Sequence, residues 1–280
     1  MVNLTGPRLK LSRANKHLRS LKQAIDRFLK SEPYSFTIEH HPNPPTDMPR
    51  AQALVAHIHK QPSNDWGVIV GDIIHNLRST LDLLVSSLSS LPARSRTRRK
   101  LQFPICDSAK EFKEAIKGQR LYDVCNAHRT LIRSYQPYRR CKIDNLTVAN
   151  DALGILRELN NADKHRSIQV VGAVARYQGI ILRMHGSPVR VIAAGGAGLR
   201  LGATTDPCLS YSISGSRAIT EDGTVVAVFE NKSKRRVYVN PSFQPSIQFW
   251  KGCSRVKDRP VLSVLSAIRD RVKEILGEPW

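Results

Sequence analysis

Apolar residues recur at steps of three and four between residues 9 and 30: Leu11, Ala14, Leu18, Leu21, Ile25 and Phe28. That is the period of one helical face, so a helix is predicted, with Lys and Arg on its other faces and Pro33 past its end. Residues 34–41 read as a strand, a Pro-rich turn follows, and 51–60 read as a return strand, giving an early hairpin. A long helix is expected over 65–91, with Asn64 or Asp65 as its N-cap. Ser108 and Glu111 have capping-box spacing for a helix at 108–117. Further helices are expected at 121–135, ending near Gln136-Pro137-Tyr138, and at 145–162, where Leu146, Ala149, Leu153, Leu156 and Leu159 recur.

The texture changes after Arg166. Short β-rich runs at 168–176, 179–184, 189–194, 224–230, 235–240 and 246–250 are separated by Gly, Ser and Pro turns. A last amphipathic helix is expected at 259–276, with Pro260 in its first turn. The pattern therefore predicts an α+β protein. Its expected domains are 1–166, mainly helical with an inserted hairpin, and 167–280, mainly antiparallel β closed by a C-terminal helix.

Composition narrows the class. The chain has 280 residues, 41% hydrophobic, enough for one large or two modest cores. No apolar run approaches the roughly 18 residues that a membrane span needs. The N-terminus has no apolar stretch of the secretory kind, so a cytoplasmic protein is expected. Five cysteines at wide spacings, without a C-x-x-C pair, point to reduced thiols and to no zinc site. The sequons at Asn3, Asn145 and Asn231 are then chance matches. Lys plus Arg number 44 against 23 acids, a net charge of +21, which attracts polyanions. Nucleic acid is the usual partner, and a solvated surface is the plainer reading. The densest charge run is Arg94, Arg96, Arg98, Arg99 and Lys100, with Lys234, Arg235 and Arg236 as a second cluster between two strands. The first reads equally well as phosphate-contacting or as solvated, and for the second, a basic hairpin tip, solvation is at least as good a reading.

The candidate chemistry lies on the 65–91 helix. At about 100° per residue, Ile74, Leu77, Leu81, Leu84 and Leu88 fall on one side, and Asp72, His75, Arg78, Ser79 and Asp82 on the other. This polar arc uses no Lys, Glu or Gln, the usual surface helix formers, which suggests residues selected for specific partners. Arg78 and Asp82 are spaced to pair, as are His75 and Ser79. A second group, Asn160, Asp163, His165 and Arg166, closes the 145–162 helix, and Asp163 is expected to meet the polar arc. His75, Arg78, Asp82, Asp163 and His165 are the candidate catalytic residues, with a hydrogen-bonded packing contact as the alternative. A His can transfer protons and an Arg can stabilise developing phosphate charge.

Three stretches resemble a family of uncharacterised bacterial proteins: Gly71 through Asp82 (G-D-x-x-H-N-L-R-S-x-L-D), Gln136-Pro137-Tyr138, and Asn160 through Arg166 (N-x-x-D-K-H-R). That resemblance implies no particular activity. A weaker similarity is to the HEPN superfamily of helical proteins, many of them metal-independent RNases with an R-x(4–6)-H motif. Here Arg157 and His165 are separated by seven residues, outside that spacing, so no catalytic residue is carried over. Two readings result. The first is a protein that binds nucleic acid, RNA favoured, through electrostatic contacts. The second is a metal-independent HEPN-like endoribonuclease with its site between the His75 helix and the His165 segment. A small-molecule pocket between the two halves is a third, weaker reading. No cofactor or metal is expected: His57 and His59 share a strand face but lack a convincing third ligand, and the glycines at 195–202 fail the dinucleotide pattern. A homodimer is left open.

Overall fold

Helix α1 (Thr5–Lys30) starts four residues before its predicted bound and buries Leu11, Ala14, Leu18, Leu21 and Ile25. Asn3 Oδ1 accepts the Thr5 N–H at 3.0 Å, and Pro7 is tolerated in the first turn, where backbone N–H groups lack helical acceptors. Strands β1 (Tyr34–His40) and β2 (Gln52–Ile58) form the predicted antiparallel hairpin, Tyr34 opposite Ile58 and His40 opposite Gln52. His57 Nε2 lies 2.7 Å from Thr37 Oγ1, and His59 Nε2 lies 2.8 Å from Ser35 Oγ. These histidines thus make cross-strand hydrogen bonds. In this computed structural model the described residues are 2–44, 46, 49–92, 95–165, 170–183, 190–193, 216–219, 221–230, 238–249, 253–257 and 259–280, with backbone alone for 165 and for most of the later strands.

Helix α2 (Asp65–Leu88) matches its predicted span, but Asn64 does not cap it. Its backbone is already helical (φ −61°, ψ −26°), whereas an N-cap needs extended dihedrals to turn its side chain onto the first N–H groups. Helix α3 (Ala109–Lys117) is capped as expected, Ser108 Oγ accepting the Glu111 N–H at 3.2 Å. Helix α4 (Asn126–Ser134) is shorter than the predicted 121–135, because Gln119 and Asp123 take positive φ and turn the chain. Pro137 does more than follow a helix: it opens α5 (Pro137–Ile143) at a position that needs no N–H donor. Helix α6 (Ala152–His165) also starts later than predicted. Asp151 Oδ1 accepts the N–H groups of Leu153 at 2.8 Å and Gly154 at 3.1 Å, which sets the helix start. Leu146 and Ala149 consequently lie outside it, and Leu146 is exposed.

The β-rich runs merge into fewer strands: β3 (Val170–Arg183), β4 (Arg190–Ala193), β5 (Ser216–Ala218), β6 (Thr224–Glu230) and β7 (Tyr238–Phe249). One sheet has the order β1-β2-β6-β4 and the other β5-β3-β7. Pro241 and Pro245 fall in β7, at an edge of its sheet, where a missing N–H is tolerated. Helix α7 (Val261–Leu276) buries Val264, Leu265, Ile268, Val272 and Ile275, as its pattern requires.

The chain crosses between compact units at Val170, close to the expected residue 166, but the units are not the two successive halves. One compact unit comprises Met1–Ala24, Asn64–Val170 and Phe249–Trp280, and the other Ile25–Ser63 and Val171–Gln248. The hairpin joins the later strands because β2 pairs with β6, Gln52 opposite Phe229. The final helix belongs with the first unit, where α7 packs on α2 and α6. Sequence order hides both associations, since β2 and β6 are more than 150 residues apart and α7 lies more than 90 residues beyond α6. Among the described residues no helix is long and apolar enough to cross a membrane.

Within the first unit, Arg255 ties the segment before α7 to α6. Its Nη2 donates to Asp107 at 2.6 Å, its Nε faces Glu158 at 3.2 Å, and its Nη1 reaches the Val148 carbonyl at 3.2 Å. The guanidinium crosses α6 at Gly154, where a Cβ would overlap Nη1. Ala at 154 should gain about 1 kcal/mol in helix propensity but lose about 2–3 kcal/mol by displacing a partly buried ionic network. Gly154→Ala is therefore expected to lower stability by about 1–2 kcal/mol in urea unfolding.

Candidate functional site

The site is built on α2, whose apolar face (Ile73, Ile74, Leu77, Leu81 and Leu84) is fully buried. Its polar arc divides in two. Arg78 is 8% exposed and pairs with Asp82, Nη2 to Oδ1 at 2.8 Å, as the spacing predicted. Both then turn to one residue of a neighbouring segment. Arg78 Nη2 donates to the Phe103 carbonyl at 2.7 Å, and Asp82 Oδ1 accepts the Phe103 N–H at 2.9 Å. The pair thus supplies Phe103 with the donor and acceptor that a strand partner would. Burial lowers the Arg78 pKa and raises that of Asp82, and each charge opposes the other's shift. Asn76 and Thr80 are buried too, donating to the Asp72 carbonyl at 2.7 Å and the Asn76 carbonyl at 2.9 Å of their own helix.

His75 and Asp72 are exposed and Ser79 is half-buried. His75 Nε2 lies 3.5 Å from Ser79 Oγ. Asp163 of α6 meets α2 as predicted, at Gly71, where a Cβ would overlap its Oδ1 and come within 3.1 Å of Cγ. Asp163 is exposed, although by helical spacing it falls on the same stripe as the buried Leu153, Leu156 and Leu159. Partial loss of water against α2 raises its pKa; His75 counters this and Asp72 reinforces it. Asn160, one turn earlier, is the buried polar residue of α6, 7% exposed. His165 ends α6, and its side chain is not described; Arg166 lies outside the described residues.

The cationic loop is less uniform than its sequence. Arg98 turns inward, its Nη1 donating to the Leu91 carbonyl and its Nη2 to the Ser86 carbonyl at 3.2 Å. It anchors the 3-10 turn Thr97–Lys100 and is not a free phosphate ligand. Arg96, Arg99 and Lys100 are exposed, Lys100 reaching Gln119 Oε1 at 3.0 Å. Arg94 and the cluster Lys234, Arg235 and Arg236 lie outside the described residues, as do the glycines at 195–202.

Sequence reasoning missed a charged cluster around Asp107, whose carboxylate accepts from both Arg157 and Arg255. Arg157 also donates to the Ile105 carbonyl at 2.9 Å and pairs with Glu111 at 3.1 Å. The signal available was only that Asp107 precedes the capping box. Four free cysteines are described; burial raises Cys106 and Cys253 to about 11, which leaves them protonated and weakly nucleophilic. Among the described residues no group of three His, Cys, Asp or Glu is placed to hold a metal ion.

The fold and site define an α+β protein in which one helix uses half of its polar arc for internal bonding and presents the other half to solvent. No protein-family model, curated protein or solved structure matches the chain.

Two substitutions separate these halves. Arg78→Leu leaves the Asp82 carboxylate without its counter-charge and the Phe103 carbonyl without its donor, and is expected to cost about 3 kcal/mol in urea unfolding. Gly71→Ala displaces only the end of an exposed side chain and gains helix propensity, so stability should hold or rise by up to about 1 kcal/mol. It moves the Asp163 carboxylate off α2, so it probes the exposed half without unfolding the protein.

Proposed function

We propose that this protein binds nucleic acid, RNA in preference, through electrostatic contacts with phosphate. The observation that carries this reading is the surface of α1. Residues 5–24 include Arg8, Lys10, Arg13, Lys16, Arg19 and Lys22 and no acid, and all of these cations but the half-buried Lys10 are exposed. At 100° per residue the exposed ones cover about half of the helix circumference, opposite its buried leucines. A run of like charges on a well-packed helix is electrostatically unfavourable by itself, and a polyanion relieves it. Arg96, Arg99 and Lys100 add further exposed cations. RNA is preferred over DNA on the similarity to HEPN proteins.

A second reading, the metal-independent endoribonuclease, is favoured by one observation: exposed His75 with Ser79 at 3.5 Å and Asp163 beside the same helix. A proton-transfer pair open to solvent suits attack by a ribose hydroxyl. Arg78 and Asp82 are withdrawn from that chemistry by their bonds to Phe103.

Labelled RNA incubated with the protein in EDTA at low salt tests both. The expected result is RNA bound and intact, with the wild type and with His75→Ala alike. Affinity should fall at least about tenfold between roughly 50 and 200 mM salt. Cleavage by the wild type, abolished in His75→Ala, would put the nuclease reading first; no binding at low salt would remove the nucleic-acid reading.

A further inference from the structure

Beside the outer surface of α1 lies a groove of about 460 Å³, lined by that helix and by Arg269 of α7. We infer that this groove is a nucleotide subsite, in which three arginines hold a phosphate and the adjoining leucines carry the sugar or base. The inference rests on the nucleic-acid reading above and goes further by naming where one nucleotide sits.

Arg8, Ser12, Asn15 and Arg19 fall within about 60° of one another at 100° per residue, along the border between the cationic and apolar arcs of α1. Arg8 and Arg19 stand about three turns apart and Arg269 belongs to α7, so three arginines from two helices line one concavity. Guanidinium forks match phosphate oxygens in geometry and charge. The exposed edges of the otherwise buried Leu11 and Leu18 lie next to them. A ligand charged at one end and flat or apolar at the other fits this division, and a nucleoside monophosphate has both parts.

Two buried polar atoms of the lining lack hydrogen-bond partners: Asn15 Oδ1 and Arg269 Nε. Asp270 Oδ1 lies 2.7 Å from Arg269 Nε, but away from the N–H direction, so it offsets charge without making the hydrogen bond. Unmet buried donors and acceptors are uncommon and unfavourable. Neither atom has surface open to the groove as it stands; each gains a partner there only if its side chain turns outward, the Arg269 Nε–H then suiting a phosphate oxygen and Asn15 Oδ1 a ribose hydroxyl or base N–H. The volume lies in the range of small-ligand sites.

The phosphate can belong to a free nucleotide or to a strand, and the two are separated by measuring both. Binding of 5′-AMP by calorimetry is compared with binding of a labelled single-stranded oligoribonucleotide of about ten residues. The groove pair Arg19→Gln/Arg269→Gln is set against the loop pair Arg96→Gln/Arg99→Gln, which removes the same charge. Ser12→Glu, at an exposed position, adds a repelling carboxylate without touching the core. The groove pair and Ser12→Glu are each expected to weaken the oligonucleotide about tenfold or more, and the loop pair about threefold. AMP binding should be lost only in the groove variants. If the oligonucleotide binds and the groove and loop pairs weaken it equally, the subsite is overturned while the nucleic-acid reading stands. If AMP binds and depends on the groove but no oligonucleotide binds, the groove is a free-nucleotide site and the nucleic-acid reading fails. If neither binds, both fail.

Discussion

The first unit depends on a short stretch of chain with no regular structure that runs through its interior. Phe103, Ile105 and Cys106 are almost completely buried, yet residues 101–106 belong to no helix or strand. Buried backbone groups must find partners, and here most of them are side chains. Arg78 and Asp82 of α2 serve Phe103. Arg157 of α6 serves the Ile105 carbonyl, and Gln136 Oε1, wholly buried ahead of α5, accepts the Cys106 N–H at 3.0 Å. Three elements far apart in sequence are thereby fastened to one segment. A helix face with polar residues is how α2 can be largely buried and still make those bonds.

This constraint changes the meaning of the most distinctive residues. Arg78, Asp82 and Gln136 lie in motifs that read as candidate chemistry or as family signatures, and they act as surrogates for a missing strand. Gln136 also donates to the Ile132 carbonyl at 3.0 Å, so its amide is engaged at both ends. The residues left to face solvent are His75, Ser79, Asp72 and Asp163, and they adjoin the internal network without belonging to it. Gly71 marks the seam between the two roles, because the Asp163 carboxylate lies directly over it.

The charge of the protein is similarly divided. Arg78, Arg98, Arg157 and Arg255 bond inward to carbonyls and carboxylates. Guanidinium suits that work because its fork can hold a backbone carbonyl and a carboxylate together. Among the described residues, solvent-facing cations line α1, which has no acid before Asp26, recur on the turn at Arg96–Lys100, and are also spread over α3 and α5, as at Lys113, Lys117, Arg139 and Lys142. Net charge alone did not distinguish these groups.

Local periodicity was enough to place α1, α2, α3, α7 and the β1–β2 hairpin, since each is specified by neighbours within a few residues. The Arg78–Asp82 pair was legible for the same reason, being one helical turn apart. The late starts of α4 and α6 were not, because positive-φ turns at Gln119 and Asp123 and the cap by Asp151 interrupt apolar patterns that run on past them. The division into units and the partner of Arg78 lay further out of reach. Nothing near Gln52 announces Phe229, and nothing in the helix announces Phe103. Sequence determined which residues were polar where a helix should be apolar; only the tertiary structure decided which of them would be sealed inside and which would meet solvent, because that choice depends on which distant segment needs their hydrogen bonds.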